Sequence, residues 1–226
     1  MFATSPTYLL VHGAWCGGFI WRGVADRLRS RGHRLFAPTL SGLADRSHLL
    51  PLGIELQTHV SDVVNLIRWE ELTDIVLVGH SYGGMVISSV AEQAPAGAIR
   101  SIVYLDAFYA RPGQSAADCA SAMADIFAAD PVPFPFAEGA DPHLLTLVTP
   151  QPLRTMTDRP IITGARDRVP IKTYVLATDP LNPMFAAMAQ GLRGDASWRV
   201  REIACGHGTM IERPDETTDL LLEAAG

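Results

Sequence analysis

A serine lies at the centre of a Gly-x-Ser-x-Gly pattern that runs from Gly79 through Ser81 to Gly83. The pattern directly follows an apolar run typical of a buried strand and directly precedes a helical one. This setting holds the serine on a strained backbone, and the glycines leave room for the strand and the helix to approach each other. The hydroxyl then projects beyond the sheet, where it can act as a nucleophile. The competing interpretation is a plain tight turn in which Ser81 caps a helix.

A serine nucleophile needs a base to take its proton, and in this arrangement the base follows the nucleophile along the chain. His143 and His207 are the two histidines downstream of Ser81. His143 lies in an irregular segment ahead of the later strands, whereas His207 directly follows the last predicted strand. Because functional groups of parallel α/β sheets gather at the carboxyl ends of the strands, His207 is the predicted base.

The carboxylate that should orient the imidazole has two candidates, each at the carboxyl end of a predicted strand. Asp179 follows the predicted strand that comes before the last one. Asp106 follows the predicted strand after the helix that begins just beyond Ser81. Asp179 is preferred because its place in the chain is the usual one for the acid. Asp106 stays open as the alternative acid.

Main-chain N–H groups near the serine can stabilise negative charge that develops on a substrate oxygen. One is expected from Tyr82, and a second from Ala14 in the loop after the first strand, where Gly13 lets the backbone approach. That loop does not form Gly-x-Gly-x-x-Gly, and no acidic residue ends the second strand, which argues against a dinucleotide site. Aromatic side chains nearby predict an apolar pocket, although each alone is typical of a packed core; they are Trp15, Phe19, Tyr82, Phe108, Phe127, Phe134 and Phe136.

Short apolar runs that alternate with helical patterns must position these groups. The alternation predicts an α/β fold, in which a mostly parallel six-stranded sheet carries helices on both faces. Residues 1–106 and 171–226 form the predicted core, and residues 107–170 form an inserted helical cap that is rich in Pro, Ala and Asp. The predicted strands are Tyr8–Val11, His33–Ala37, Asp74–Val78, Ile99–Leu105, Lys172–Thr178 and Trp198–Ile203.

Three segments resemble the α/β-hydrolase superfamily: LLVHGAW at 9–15, VGHSYGGMV at 78–86 and GHGTMIERP at 206–214. Within it, the chain is similar to small esterases of the salicylate-binding-protein, methylesterase and pyrethroid-hydrolase type. The resemblance implies a Ser-His-Asp triad, no cofactor, and an apolar pocket roofed by the cap. Carried over, it makes Ser81 the nucleophile, His207 the base, Ala14 and Tyr82 the oxyanion donors, and Asp179 the acid.

Two departures from the family pattern affect this assignment. Many relatives carry a second acidic residue where this chain has Leu181, which keeps Asp106 open as the acid. The lyase branch of the family uses a threonine in the oxyanion loop and a lysine after the histidine, whereas this chain has Gly13 and Gly208. The expected function is therefore hydrolysis of a small, largely apolar carboxylic ester. The alternatives are a non-hydrolytic binder of small molecules and a cofactor-free lyase on the same scaffold.

Composition sets further bounds. The chain has 226 residues, of which 48% are hydrophobic and 19% charged, which excludes a disordered or fibrous protein. A net charge of −6 without a basic block argues against nucleic-acid or membrane partners. Three scattered cysteines predict neither a disulfide framework nor a metal site. No apolar run suits a signal peptide or a membrane span, so a cytoplasmic location is expected, and homodimer formation is left open.

Overall fold

The computed structural model describes residues 5–136, 138 and 141–226, without the side chain of Met123. In this part of the chain, six strands form one sheet in the order β2-β1-β3-β4-β5-β6, and each neighbouring pair is parallel. The α/β fold predicted from the sequence is therefore confirmed. The strands are β1 (Thr7–Val11), β2 (Leu35–Phe36), β3 (Ile75–His80), β4 (Ile99–Leu105), β5 (Ile171–Ala177) and β6 (Trp198–Ile203).

Helices cover both faces of the sheet, because the side chains of each strand alternate between two apolar layers. Leu9 and Val11 of β1 join one layer, whereas Tyr8 and Leu10 join the other. α2, α3 and α7 pack in the first layer, and α1 and α9 in the second. The helices are α1 (Arg22–Ser30), α2 (Leu56–Trp69), α3 (Gly83–Gln93), α4 (Ala116–Cys119), α5 (Pro142–Leu145), α6 (Leu153–Thr157), α7 (Pro183–Arg193), α8 (Thr209–Glu212) and α9 (Pro214–Glu223).

β3 and β2 illustrate the centre and the edge of the sheet. All six residues of β3 are buried, as its opening apolar run, Ile75–Val78, predicts for a strand covered on both sides. β2 is shorter than the predicted His33–Ala37, and it pairs with β1 through Leu35 and Phe36. The strand ends early because Pro38 follows closely, and proline has no N–H to donate to a ladder.

Residues 107–170, which lie between β4 and β5, are called the cap below. In its described part the cap contains α4, α5, α6 and the 3-10 segments Ser121–Ala128 and Arg166–Arg168. An antiparallel bridge joins Val132 to Gln151, and both residues are buried. Phe127 and Phe134 pack against the apolar layer that contains α3 and α7. The cap therefore shares a core with the sheet. Separately, none of the described helices has the length and apolar character needed to span a bilayer.

Candidate active site

The turn from β3 to α3 holds Ser81 in the left-handed backbone region, with a φ of 52°. A Cβ on Gly79 would lie 2.7 Å from the carbonyl oxygen of Gly83, and a Cβ on Gly83 would lie 2.7 Å from that of Val11. A side chain at either position would therefore collide with backbone. The two glycines let strand and helix pack closely enough to hold Ser81 in this strained conformation, which is typical of functional sites.

His207 lies in the loop between β6 and α8, and its Nδ1 donates to Oδ2 of Asp106 at 2.6 Å. Asp106 directly follows β4, and 1% of its side chain is exposed. Its other carboxylate oxygen accepts from the N–H of Ala177 at 3.1 Å. Because a carboxylate can only accept, Nδ1 of His207 carries the proton and Nε2 is left to accept one. This is the protonation state that a general base requires.

The preference for Asp179 as the partner of the imidazole is wrong. Asp179 lies in an exposed turn after β5, where its main-chain N–H donates to the carbonyl oxygen of Cys205 at 3.0 Å. Asp106 takes the place because its carboxylate is buried at the same edge of the sheet and held there by the N–H of Ala177, whereas Asp179 is exposed. A φ of 43° at Asp106 marks the point where the chain leaves β4.

A cavity of about 400 Å³ is lined by both Ser81 and His207. In the part of the chain that the structure describes, no hydrogen bond joins their side chains. Hydrogen bonds between a nucleophile and its base often tighten only in the complex with substrate. The wall is mainly apolar. The predicted residues Gly13, Ala14, Trp15, Phe108, Phe127, Phe134 and Phe136 contribute to it, whereas Phe19 and Tyr82, which were also expected there, do not.

The Ala14 N–H belongs to a peptide group that is held at its other end. Nδ1 of His12 donates to the carbonyl oxygen of Gly13 at 2.7 Å, while Nε2 accepts from the N–H of Leu40 at 3.0 Å. His12 is fully buried, and this burial lowers its pKa to about 4, so the ring stays neutral at pH 7. Among the described residues, neither the Ala14 nor the Tyr82 N–H donates a hydrogen bond. Within the described structure both N–H groups therefore lack a protein acceptor.

The side chain of Tyr82 turns away from the cavity into the core. Its hydroxyl donates to Nδ1 of His59 at 2.9 Å, and Nε2 of His59 donates to the carbonyl oxygen of Ser41 at 2.8 Å. Both rings are fully buried. Burial lowers the pKa of His59 to about 4 and raises that of Tyr82, so the pair is neutral. The network fixes Tyr82, whose main-chain N–H follows the nucleophile.

Two rings hold the loop and the imidazole of His207. Nε2 of His80 donates to the main-chain carbonyl oxygen of His207 at 2.9 Å. Burial lowers the pKa of His80 well below its ordinary value, and the neighbouring His207 adds to this effect. The Phe185 ring stacks on the His207 ring with 5.2 Å between centroids and 7° between planes. His207 is thus held at its backbone, at Nδ1 and on its ring face.

Sequence reasoning missed several residues of the cavity wall. Met184 and Phe185 come from the start of α7, while Met210 and Ile211 come from α8. A signal was available, because each pair closely follows a loop that carries a candidate catalytic residue. Within the described ranges, no cluster of three or more His, Cys, Asp or Glu side chains is arranged to hold a metal ion.

Fold and site together define an α/β hydrolase. The family model described as "Alpha/beta hydrolase family" matches residues 8–220, and the chain belongs to this family. The match spans the predicted nucleophile, the base and both candidate acids. The resemblance that the sequence motifs suggested is therefore confirmed.

Relatives within the family include named esterases. The carbendazim hydrolyzing esterase of Nocardioides sp. (strain SG-4G) is 37% identical over 95% of this chain and 97% of its own length. The pyrethroid hydrolase of Sphingobium wenxiniae is 36% identical over 49% of this chain and 39% of its own length. An extracellular α/β-hydrolase from a Paenibacillus species, described as homologous in structure and function to tobacco salicylic acid binding protein 2, superimposes with a TM-score of 0.82. It is 26% identical, with 97% of this chain and 98% of that chain covered. These relatives support a hydrolase of the esterase type on this scaffold.

Proposed function

We propose that the chain hydrolyses carboxylic esters of small, largely apolar substrates through an acyl-enzyme formed on Ser81. One observation carries this proposal: a buried carboxylate, Asp106, accepts from Nδ1 of a histidine that shares a cavity with a serine on left-handed backbone. Nucleophile, base and orienting acid are the parts that covalent ester cleavage needs. The esterase relatives support the same reaction class.

The proposed reaction has two halves. Oγ of Ser81 attacks the ester carbonyl carbon while Nε2 of His207 takes the hydroxyl proton, and Asp106 stabilises the imidazolium that forms. The N–H groups of Ala14 and Tyr82 hold the negative oxygen of the tetrahedral intermediate. The intermediate collapses as His207 gives its proton to the leaving alcohol. Water then attacks the acyl-enzyme with His207 again as base, releasing the acid and restoring Ser81.

The cavity supports an apolar substrate of modest size. Its volume of about 400 Å³ lies in the range of small-molecule sites, which are typically lined by apolar side chains with few polar groups. Trp15, Phe108, Phe134 and Phe185 bring aromatic surface to the wall, and Asn182 is one of the few polar side chains there. Aryl and short alkyl esters fit this description better than charged ones.

A fluorophosphonate probe tests the nucleophile. Intact-mass analysis should show a single label on the unmodified protein, located at Ser81 by peptide mapping, and no label on Ser81→Ala. The same two proteins should differ in hydrolysis of p-nitrophenyl butyrate by about a thousandfold or more, because triad members act as a unit. A probe that labels Ser81→Ala equally, or not at all in either protein, contradicts the proposal.

A substrate panel separates hydrolysis from the alternatives. Carbendazim, which the Nocardioides relative is named for hydrolysing, belongs in the panel beside p-nitrophenyl esters. Aldehyde release from a cyanohydrin would identify a lyase instead. Tight binding of an aromatic ligand without turnover of any ester would identify a binding protein.

We also propose a cytoplasmic location, which the free thiols of Cys16, Cys119 and Cys205 fit.

A further inference from the structure

The loop after β1 turns sharply just beyond the Ala14 N–H. Trp15 has a φ of 61°, which places a bulky residue in the left-handed region. Such a conformation persists only where surrounding contacts hold it. Because Trp15 directly follows Ala14, the contacts that hold Trp15 also help to fix the direction of the Ala14 N–H.

Three hydrogen bonds tie Trp15 to the cap. Its main-chain N–H donates to Oε1 of Gln151 at 2.8 Å, and its indole N–H donates to the carbonyl oxygen of Val132 at 3.1 Å. Its carbonyl oxygen accepts from the N–H of Thr149 at 2.9 Å. The cap therefore does more than cover the cavity, since it holds the backbone of the loop that carries an oxyanion donor.

Gln151 is built to accept this N–H. The residue is fully buried, and its main chain exchanges two hydrogen bonds of 2.8 Å with Val132. Its Nε2 donates to Oγ1 of Thr155 at 2.6 Å, and that hydroxyl donates in turn to the carbonyl oxygen of Pro152. Because the hydroxyl proton is already used, Thr155 can only accept from the amide. Oε1 of Gln151 must then face Trp15.

We propose that Gln151 is a positioning residue for the oxyanion donor Ala14. His12 holds the peptide group that carries the Ala14 N–H, and Gln151 holds the next peptide group along the chain. Ala14 is thus fixed on both sides by buried polar side chains, one from the core and one from the cap. The inference rests on the proposed ester hydrolysis, because it assigns Gln151 a part in stabilising that reaction's tetrahedral intermediate.

A misdirected Ala14 N–H should affect the transition state more than the bound substrate. The oxygen of the ester carries full negative charge only when the carbonyl carbon becomes tetrahedral, so a donor aimed at it acts mainly on kcat. A residue needed only for folding would instead lower thermal stability without separating kcat from KM. This difference makes the proposal testable.

The test compares Gln151→Met with Gln151→Glu and with Gln114→Met on p-nitrophenyl butyrate. Met removes the acceptor at similar volume, whereas Glu in its protonated form keeps both an oxygen for the Trp15 N–H and an O–H for Thr155. Gln114 is the matched control, because its Oε1 also accepts a main-chain N–H in the cap, that of Arg111 at 3.0 Å, at an exposed position. Thr155→Ala serves the same purpose as Gln151→Met if the latter does not fold, since it frees the amide to turn.

We expect Gln151→Met to lower kcat by about 10- to 100-fold with KM changed by less than about threefold. Affinity for a trifluoromethyl ketone, which forms a tetrahedral adduct on Ser81, should fall by the same factor, while affinity for the matching methyl ketone should hold. Gln151→Glu should recover most of kcat, and Gln114→Met should match the unmodified protein. Unchanged kcat in Gln151→Met, or equal loss of affinity for both ketones, overturns the inference.

Failure of the proposed function would look different. If the unmodified protein and Ser81→Ala hydrolyse the ester equally, the protein is not a serine esterase, and the role of Gln151 falls with that function. If the unmodified protein is active and Ser81→Ala is not, the Gln151 variants alone decide the inference.

Discussion

His207 and Asp106 are 101 positions apart in the chain, and Nδ1 of the histidine donates to the aspartate at 2.6 Å. The parallel sheet makes the contact possible, since only β5 separates β4, which directly precedes Asp106, from β6, which precedes His207, and all three strands end at the same edge. This partner of the imidazole thus lies one strand earlier in the chain than the acid of the usual arrangement. Its burial and its second hydrogen bond, from Ala177, hold the carboxylate in one orientation.

Exchange of each aspartate for asparagine should separate their roles. Asp106→Asn should lower kcat on an activated ester by about 10⁴-fold, because an amide favours the wrong imidazole tautomer and cannot stabilise the imidazolium. Asp179→Asn, its matched control in an exposed turn, should stay within about threefold of the unmodified protein. Steady-state kinetics of both variants checks the assignment. A large loss in Asp179→Asn with little change in Asp106→Asn would contradict it.

Much of the fold could be predicted from the sequence because local pattern and global architecture agree. The apolar run in β3 predicts a buried strand, and its residues are buried. The four-residue spacing of Ile20, Val24 and Leu28 predicts one buried face, and all three are buried. β4 and β6 have the predicted bounds. β2 was harder, since an edge strand is ended by its neighbours and by Pro38 rather than by its own propensity.

The site was predictable only where a motif ties a residue to a local structure. Ser81 and His207 follow from short segments, and Ala14 follows from its position beside Gly13. The choice between Asp106 and Asp179 was not local, because both follow a strand at the same edge of the sheet. Strand order alone would favour Asp179, and the tertiary packing that buries Asp106 and leaves Asp179 exposed decides which meets the imidazole. The contact between Gln151 and Trp15 could not be predicted from local sequence either, since it spans 136 positions.

Two helical glycines should respond to alanine in opposite ways. A Cβ on Gly84 in α3 would collide with the carbonyl oxygen of Phe108, whereas a Cβ on Gly191 in α7 would meet nothing within 4 Å. Gly84→Ala should therefore lower the free energy of unfolding by about 3 kcal/mol or more. Gly191→Ala should raise it by about 0.5–1 kcal/mol, because alanine favours helix. Urea denaturation of both variants measures this, and equal effects would contradict the close packing of Gly84 against Phe108.

Stability should fall in mild acid because of buried neutral histidines. Burial lowers the pKa of His12 and of His59 to about 4, and that of His80 well below its ordinary value. Between about pH 6.5 and 4 the unfolded chain binds protons that the folded protein does not, so the free energy of unfolding decreases as pH falls. The stabilisation is complete above about pH 6.5, and each histidine contributes a slope of up to about 1.4 kcal/mol per pH unit below it.

Denaturant titrations at several pH values across this window check the slope. His59→Gln should reduce the slope by one histidine's share, whatever its effect on stability at neutral pH. If the free energy of unfolding stays constant between about pH 6.5 and 5, these rings bind protons in the folded protein as readily as in the unfolded chain, which contradicts the prediction.

The size of the acyl or alcohol group that fits the cavity should depend on Phe134. Its ring lines the cavity and packs edge-on against Trp15 and Phe136, with centroids 6.1 and 5.8 Å away. Phe134→Ala opens space in the wall, so the ratio of kcat/KM for p-nitrophenyl octanoate over acetate should rise by about tenfold, the effect of one or two extra methylenes finding room. Phe36→Ala is the matched control, because Phe36 lies on the edge strand β2, outside the cavity wall. If Phe134→Ala changes kcat/KM for both esters by the same factor, the ring serves packing alone and the substrate lies elsewhere in the cavity.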